Sequence, residues 1–143
     1  MNIPGFFADA LLVLHFLYFL FCVLGEVAVL LGALVLRLRP AAAGSLAWIR
    51  SRRFRIVHLA AVVIVGIEGL IGMLCPLTAW EYMLRRAAGQ TVESEIPLVP
   101  RILRSVLFYD FPFWVFTVLY VGFAVLVLVS FFLFPPRKPA HRP

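Results

Sequence analysis

Three long apolar runs, separated by stretches rich in arginine, set the pattern of this chain. They cover about 8–36, 54–74 and 112–134. Each reaches the roughly 20 residues that a helix needs to cross the hydrocarbon core of a bilayer. Arg37 and Arg39 close the first run, and Pro135 and Pro136 stop the third. The first is the longest, so it is expected to tilt or project into the interface. Between the second and third runs the pattern changes. Thr78 and Glu81 have the Ser/Thr-x-x-Glu spacing of a helix start, and Gly89 is a natural stop. Trp80, Met83, Leu84 and Ala87 recur at helical spacing, while Glu81 and Arg85, four apart, can pair on the other face. This predicts an interfacial helix over about 79–88. Ile102, Leu103, Val106 and Leu107, alternating with Arg101 and Arg104, predict a second over about 98–108. Residues 92–97 read as loop. Asp110 is placed to cap the third span, with Pro112 in its first turn. The expected fold class is therefore all-α integral membrane. A single domain over 1–134 holds three transmembrane helices and one or two short interfacial helices, and 135–143 form a disordered tail.

Composition supports that class. Hydrophobic residues make up 64% and charged residues 14%, against about a quarter charged in soluble domains. The net charge of +6 raises the question of nucleic acid. The basic residues lie beside apolar segments, which is how topology is set, so no nucleic-acid partner is expected. The first run is too long and too apolar for a cleaved signal peptide. Cys22 and Cys75, the only cysteines, form neither a disulfide framework nor a metal pattern. Nine basic residues fall in the first loop and tail, and four in the second loop. The positive-inside rule then puts the N-terminus outside and the C-terminus in the cytoplasm.

The polar residues inside the apolar runs carry the candidate chemistry. Glu26 and Glu68 are costly in a bilayer unless paired, protonated or turned toward protein. Counted inward from Arg37 and Arg55 at ~1.5 Å per residue, they fall ~16 and ~20 Å deep, near one level. Tyr120 and Cys22 lie close to that level by the same count. The expected site is a buried carboxyl pair, Glu26 with Glu68, with Tyr120 beside it. It serves either as a proton site or as neutral groups bonding helices together. His15 and His58 fall at opposite interfaces, so a haem held by both within one chain is disfavoured. Each remains a ligand candidate only with a partner subunit, and no cofactor is predicted. Gly66, Gly69 and Gly72 would let another helix approach the second span closely.

The most distinctive string is Cys75-Pro76-Leu77-Thr78-Ala79-Trp80-Glu81-Tyr82-Met83-Leu84-Arg85. It resembles the Cys-Pro-Leu-Thr-x-x-Glu-x-x-Leu-Arg hallmark of a small bacterial membrane-protein family, domain of unknown function 2784. His15-Phe16 with Gly25, and Arg55 with His58-Leu59, are similar to its other recurring patches. The resemblance covers roughly 11–89. The third span carries no matching motif, and Thr91 to Pro97 departs from the aromatic- and Gly-rich stretch of the family. The likeness implies architecture and a bacterial inner membrane, and it implies no activity.

No phosphate loop, His-Glu-x-x-His or Ser-His-Asp order is present, so catalysis is not expected. The first expectation is a non-enzymatic accessory or scaffold subunit, assembled with other membrane subunits or with itself. The alternatives are a proton-handling or redox module working with partners, and a lipid- or quinone-binding protein using the rim from Cys75 to Arg85.

Overall fold

Asn2 opens the first helix, its side-chain oxygen accepting the Gly5 amide at 3.2 Å. The computed structural model describes residues 2–91, 96–107 and 111–136. Helix α1 runs Ile3–Leu38, with Pro4 in its first turn, where a missing amide costs nothing. Two short 3-10 turns follow, Pro40–Ala43 and Ala47–Arg50. Ser51 caps α2, Arg52–Ile71, by accepting the Phe54 amide at 3.3 Å. Gly72 ends α2 at φ +69°, a left-handed position that glycine adopts without strain. Then come α3, Pro76–Ala87, α4, Leu98–Leu107, and α5, Phe113–Leu133. The fold is all-α among the described residues, and α1, α2 and α5 are long and apolar enough to cross a membrane. Their outward side chains are apolar, Phe6, Leu17, Ile64, Leu70 and Phe132 among them, as lipid contact requires.

The helix boundaries differ from the sequence expectation by a few residues, and the causes are local. α2 stops before Leu74 because Gly72 turns it. α3 starts at Pro76 rather than Ala79, because proline suits the first helical position. Cys75 is thus the N-cap and Thr78 the third helical residue, so the expected capping role of Thr78 is not formed. Pro112 is the N-cap of α5 rather than a residue of its first turn. The expectation for Asp110 lies outside the described residues, as do those for 92–95 and for 137–143.

Three close approaches organise the bundle. On α2, a β-carbon at Gly66 would lie 2.7 Å from Ala124 Cβ, and one at Gly69 would lie 2.7 Å from Tyr120 Cδ2. The absent side chains let α5 lie against α2. On α1, a β-carbon at Gly25 would lie 2.5 Å from His58 Cδ2, so α2 is seated there. Cys22, Ala61, Val62 and Val127 form the core between them. Lower on α1, a β-carbon at Gly32 would lie 2.6 Å from Ile49 Cδ1. The connection after α1 therefore doubles back along it before α2 begins.

That return corrects the depth count. The register of Gly25 with His58, and of Cys22 with Ala61, sets Arg55 about nine residues inside Arg37, ~14 Å along the bundle. The two arginines do not mark one level. The same register brings Glu68 level with His15 and leaves Glu26 near Val57. The two carboxyls are then about eleven residues, or ~16 Å, apart along the axis. α3 also differs from a helix lying across the interface. Thr78 meets His15, Arg85 meets Asp9 and Asn2 meets Ala88, so α3 runs antiparallel alongside the N-terminal half of α1.

Candidate functional site

The residues of the Cys75–Arg85 motif turn their polar face inward. Thr78 and Glu81 are fully buried, while Trp80 and Met83 on the other face are exposed. Thr78 Oγ1 and His15 Nδ1 share a hydrogen bond of 3.3 Å. Arg85 Nε donates to Glu81 Oε1 at 2.9 Å. Arg101, on α4, donates through both terminal nitrogens to the two Glu81 oxygens, at 3.1 and 3.0 Å. Arg85 also reaches Asp9 at 3.1 Å and Gln90 at 3.0 Å. Burial pushes the Glu81 carboxyl up, but the bonds from Arg101 and Arg85 outweigh it and hold Glu81 below the usual carboxylate range. The bidentate geometry is the strongest form of this pairing.

The sequence alone marks Arg101 only as a polar position of an interfacial helix. Its partner lies twenty residues away across a loop, and no periodicity links them. The one available hint was an acid in the motif beside a surplus of arginine in the same loop. The Tyr82 hydroxyl adds a second tether, donating to the Ile96 carbonyl and accepting its amide, both at 3.2 Å. Arg101 and Tyr82 thus fix the start of α4.

What α4 covers is a cavity of about 300 Å³ between α1, α2 and α5. Leu98, at the start of α4, is buried against it, and Val65, Phe116 and Phe123 supply apolar wall. The polar groups on its lining include His15, Tyr18, Glu68, Cys75 and Tyr120. Tyr18 donates to the Ala61 carbonyl at 2.7 Å, which pins α1 to α2 at the cavity floor. The Cys75 thiol lies within electrostatic range of the Glu68 carboxyl. Burial pushes the Cys75 thiol up, and the Leu77 and Thr78 amides only partly oppose it. Tyr120 lies within electrostatic range of both. The structure therefore joins Glu68 to Tyr120 and Cys75 on one cavity wall, with His15 level with them.

Glu26 belongs elsewhere. It is 1% exposed, neither oxygen has a hydrogen-bond partner, and Arg55 is the charge within its electrostatic range. The expected Glu26–Glu68 pair is not formed, for the reason of register given above. His58 is buried in a collar of Phe21 and Phe54. Its Nε2 lies 2.8 Å from the Cys22 carbonyl, which can only accept, so Nε2 carries the hydrogen. Ligation of a metal or haem through Nε2 would require this bond to break. Among the described residues no group of three or more His, Cys, Asp or Glu is arranged to hold a metal ion.

Leu84 and Leu77, the apolar members of the motif, are half-buried on α3. Pro76, exposed, serves the helix start. The motif is thus a unit that fastens α3 to α1 and α4 and so closes one end of the cavity.

No curated protein and no solved structure matches the chain. The family model described as protein of unknown function (DUF2784) matches residues 5–136, taking in the third span as well as the motif. A match over nearly the whole chain makes this protein a member of the DUF2784 family.

Proposed function

We propose that this protein binds a lipid-soluble ligand with one polar end, of the quinone or lipid class, in the cavity between α1, α2 and α5. The observation that carries the reading is the composition of the walls. A cavity of about 300 Å³ has apolar sides and a few polar groups, Glu68, Tyr120 and His15 foremost, gathered at one level. Such a distribution orients a ligand by its polar end while the apolar body supplies most of the affinity. Three helices of a membrane protein surround it, so an apolar ligand can arrive from the bilayer.

The competing expectations draw less support from the arrangement of these residues. The accessory-subunit reading rested on the Gly-rich second span and on polar stripes along the helices as surfaces for assembly. Gly66 and Gly69 face α5 within this chain, and Gly72 ends the helix. The proton-handling or redox reading rested on Glu26 and Glu68 as proton carriers, with His15 or His58 as a ligand shared with a partner, and the two carboxyls are about 16 Å apart along the bundle. The ligand reading thus concerns the cavity beneath the Cys75–Arg85 rim rather than the rim itself. The arginine-rich end of the bundle is assigned to the cytoplasmic side of a bacterial inner membrane by the positive-inside rule.

Native mass spectrometry of protein purified from membranes tests the ligand. A retained small molecule should be lost in Val65→Phe, which fills the cavity, and weakened in Glu68→Gln, which keeps its shape. A protein that retains nothing, and that shows no thermal shift with a ubiquinone or a diacyl lipid, would rule the reading out. Reporter fusions at the two ends test the orientation.

A further inference from the structure

A second cavity, also of about 300 Å³, lies at the opposite end of the bundle. Among the described residues its charged lining is Arg37, Arg50 and Arg55, with no acidic residue on its wall. Arg55 is the informative one. It is 2% exposed, yet its Nε and Nη1 have no hydrogen-bond partner. The remaining nitrogen, Nη2, reaches only the Phe134 carbonyl, at 3.5 Å. Arg50 Nε is likewise buried and unpartnered. A buried guanidinium with empty donors is costly, because each lost water bond must be replaced.

The surroundings explain how Arg55 is held but not what satisfies it. Its guanidinium lies over the Phe131 ring at 5.5 Å, and Arg37 lies over Phe134 at 5.4 Å. These contacts hold two of the arginines against the end of α5. Glu26 is within electrostatic range of Arg55, but it makes no hydrogen bond to it and does not line the cavity. Arg50 sits on the second 3-10 turn, fixed by Ile49 in the Gly32 notch. The doubled-back connection thus carries one arginine to the mouth of a cavity that α2 supplies with another.

We propose that this second cavity binds a phosphate group, held by the free donors of Arg55 and Arg50 with Arg37 beside them. Guanidinium forks match phosphate oxygens in pairs, and three positive charges without an acid on the wall select a net anion. The rest of the lining, including Val29, Ala33, Leu36 and Leu133, is apolar. That wall suits the first part of an acyl chain, so an anionic lipid headgroup satisfies both halves of the cavity. A free phosphate would use the arginines alone.

Delipidated protein is titrated with phosphatidylglycerol and, separately, with diacylglycerol, which has the same tails and no phosphate, and read by native mass spectrometry. Phosphatidylglycerol should be retained about tenfold better or more, the worth of charged hydrogen bonds. Arg55→Gln or Arg50→Gln should remove that preference. Should Arg55→Gln fail to fold, Arg50→Gln, on a turn at the bundle edge, carries the test alone. Glu26→Gln should strengthen retention, because it removes a negative charge near Arg55. Displacement of the lipid by millimolar inorganic phosphate would assign the same arginines to a free anion, and its absence would assign them to a headgroup. Equal retention of the two lipids, or a preference untouched by both arginine changes, would overturn the proposal. So would a folded Glu26→Gln protein whose lipid preference is unchanged, since Arg55 would then be the partner of Glu26 alone.

Discussion

Gly25 of α1 faces the imidazole of His58 on α2 so closely that a β-carbon there would lie 2.5 Å from Cδ2 and 2.6 Å from Nε2. The missing side chain is what lets Nε2 reach the Cys22 carbonyl at 2.8 Å. His58 cannot retreat easily, because Phe54 stacks on it at 5.8 Å and Phe21 meets its edge at 5.5 Å. Gly25→Ala should therefore destabilise the protein by about 1–3 kcal/mol, the cost of overpacking a tight contact. Thermal unfolding in detergent checks this. Relief of the loss by His58→Ala in the same chain would confirm that the clash is with the imidazole.

Glu81 is the point through which α3, α4 and α1 are joined, and its charge is compensated by Arg101 and Arg85. Removing one side of a buried pair costs about 3–5 kcal/mol; Glu81→Ala should fall at the lower end, because both guanidiniums keep some contact with solvent. The pH dependence has a definite sign. The folded carboxyl lies below its unfolded value, so its contribution is fully present above the unfolded value. It fades as pH falls through the folded value, below the usual carboxylate range. The stability gap between the parent protein and Glu81→Gln should be full at neutral pH and shrink on acidification. A gap that grows on acidification would contradict the pairing.

The spans were legible because bilayer thickness fixes the length of an apolar run, and Leu98–Leu107 was legible because polar and apolar residues alternate along it. The levels of Glu26 and Glu68 were not. Counting from Arg37 and Arg55 assumes that both helices end together, and nothing in residues 39–51 announces that Ile49 turns back onto Gly32. Thr78 was misread for a similar reason, since capping-box spacing competes with Pro76 for the helix start and the proline wins. The pairing of Glu81 with Arg85 was legible from their spacing, but the sequence could not show that Thr78 meets His15 or that Arg85 reaches Asp9 on α1. The Gly66 and Gly69 pattern correctly announced a close helix and left its identity open. The neighbour is α5 of the same chain.

Cys75 gives a chemical reading of the cavity wall. Burial pushes its thiol up, and the neighbouring Glu68 carboxylate acts in the same direction. A thiol reacts as the thiolate, so Cys75 should be slow toward maleimide at neutral pH. In a Cys22→Ala background, the rate should lie well below that of the unfolded protein and rise as pH climbs past the ordinary thiol value. Glu68→Gln should accelerate it, because one source of negative charge is removed. Rapid labelling at neutral pH in the folded protein would show that the thiol is open to water.

The separation of Glu26 from Glu68 makes a thermodynamic prediction. Groups more than about 7–10 Å apart without shared partners lose stability additively, within ~0.3–0.5 kcal/mol. Glu26 lies within electrostatic range of Arg55, and Glu68 of Cys75 and Tyr120, so among the described residues these interactions have no member in common. Glu26→Gln and Glu68→Gln should then add in the double variant when each is measured by unfolding in one detergent. A directly coupled carboxyl pair would instead show a large interaction energy, because neutralising either member relieves the other. The same cycle run between Glu68→Gln and Cys75→Ser should depart from additivity, since those two groups lie within electrostatic range of each other across the break between α2 and α3.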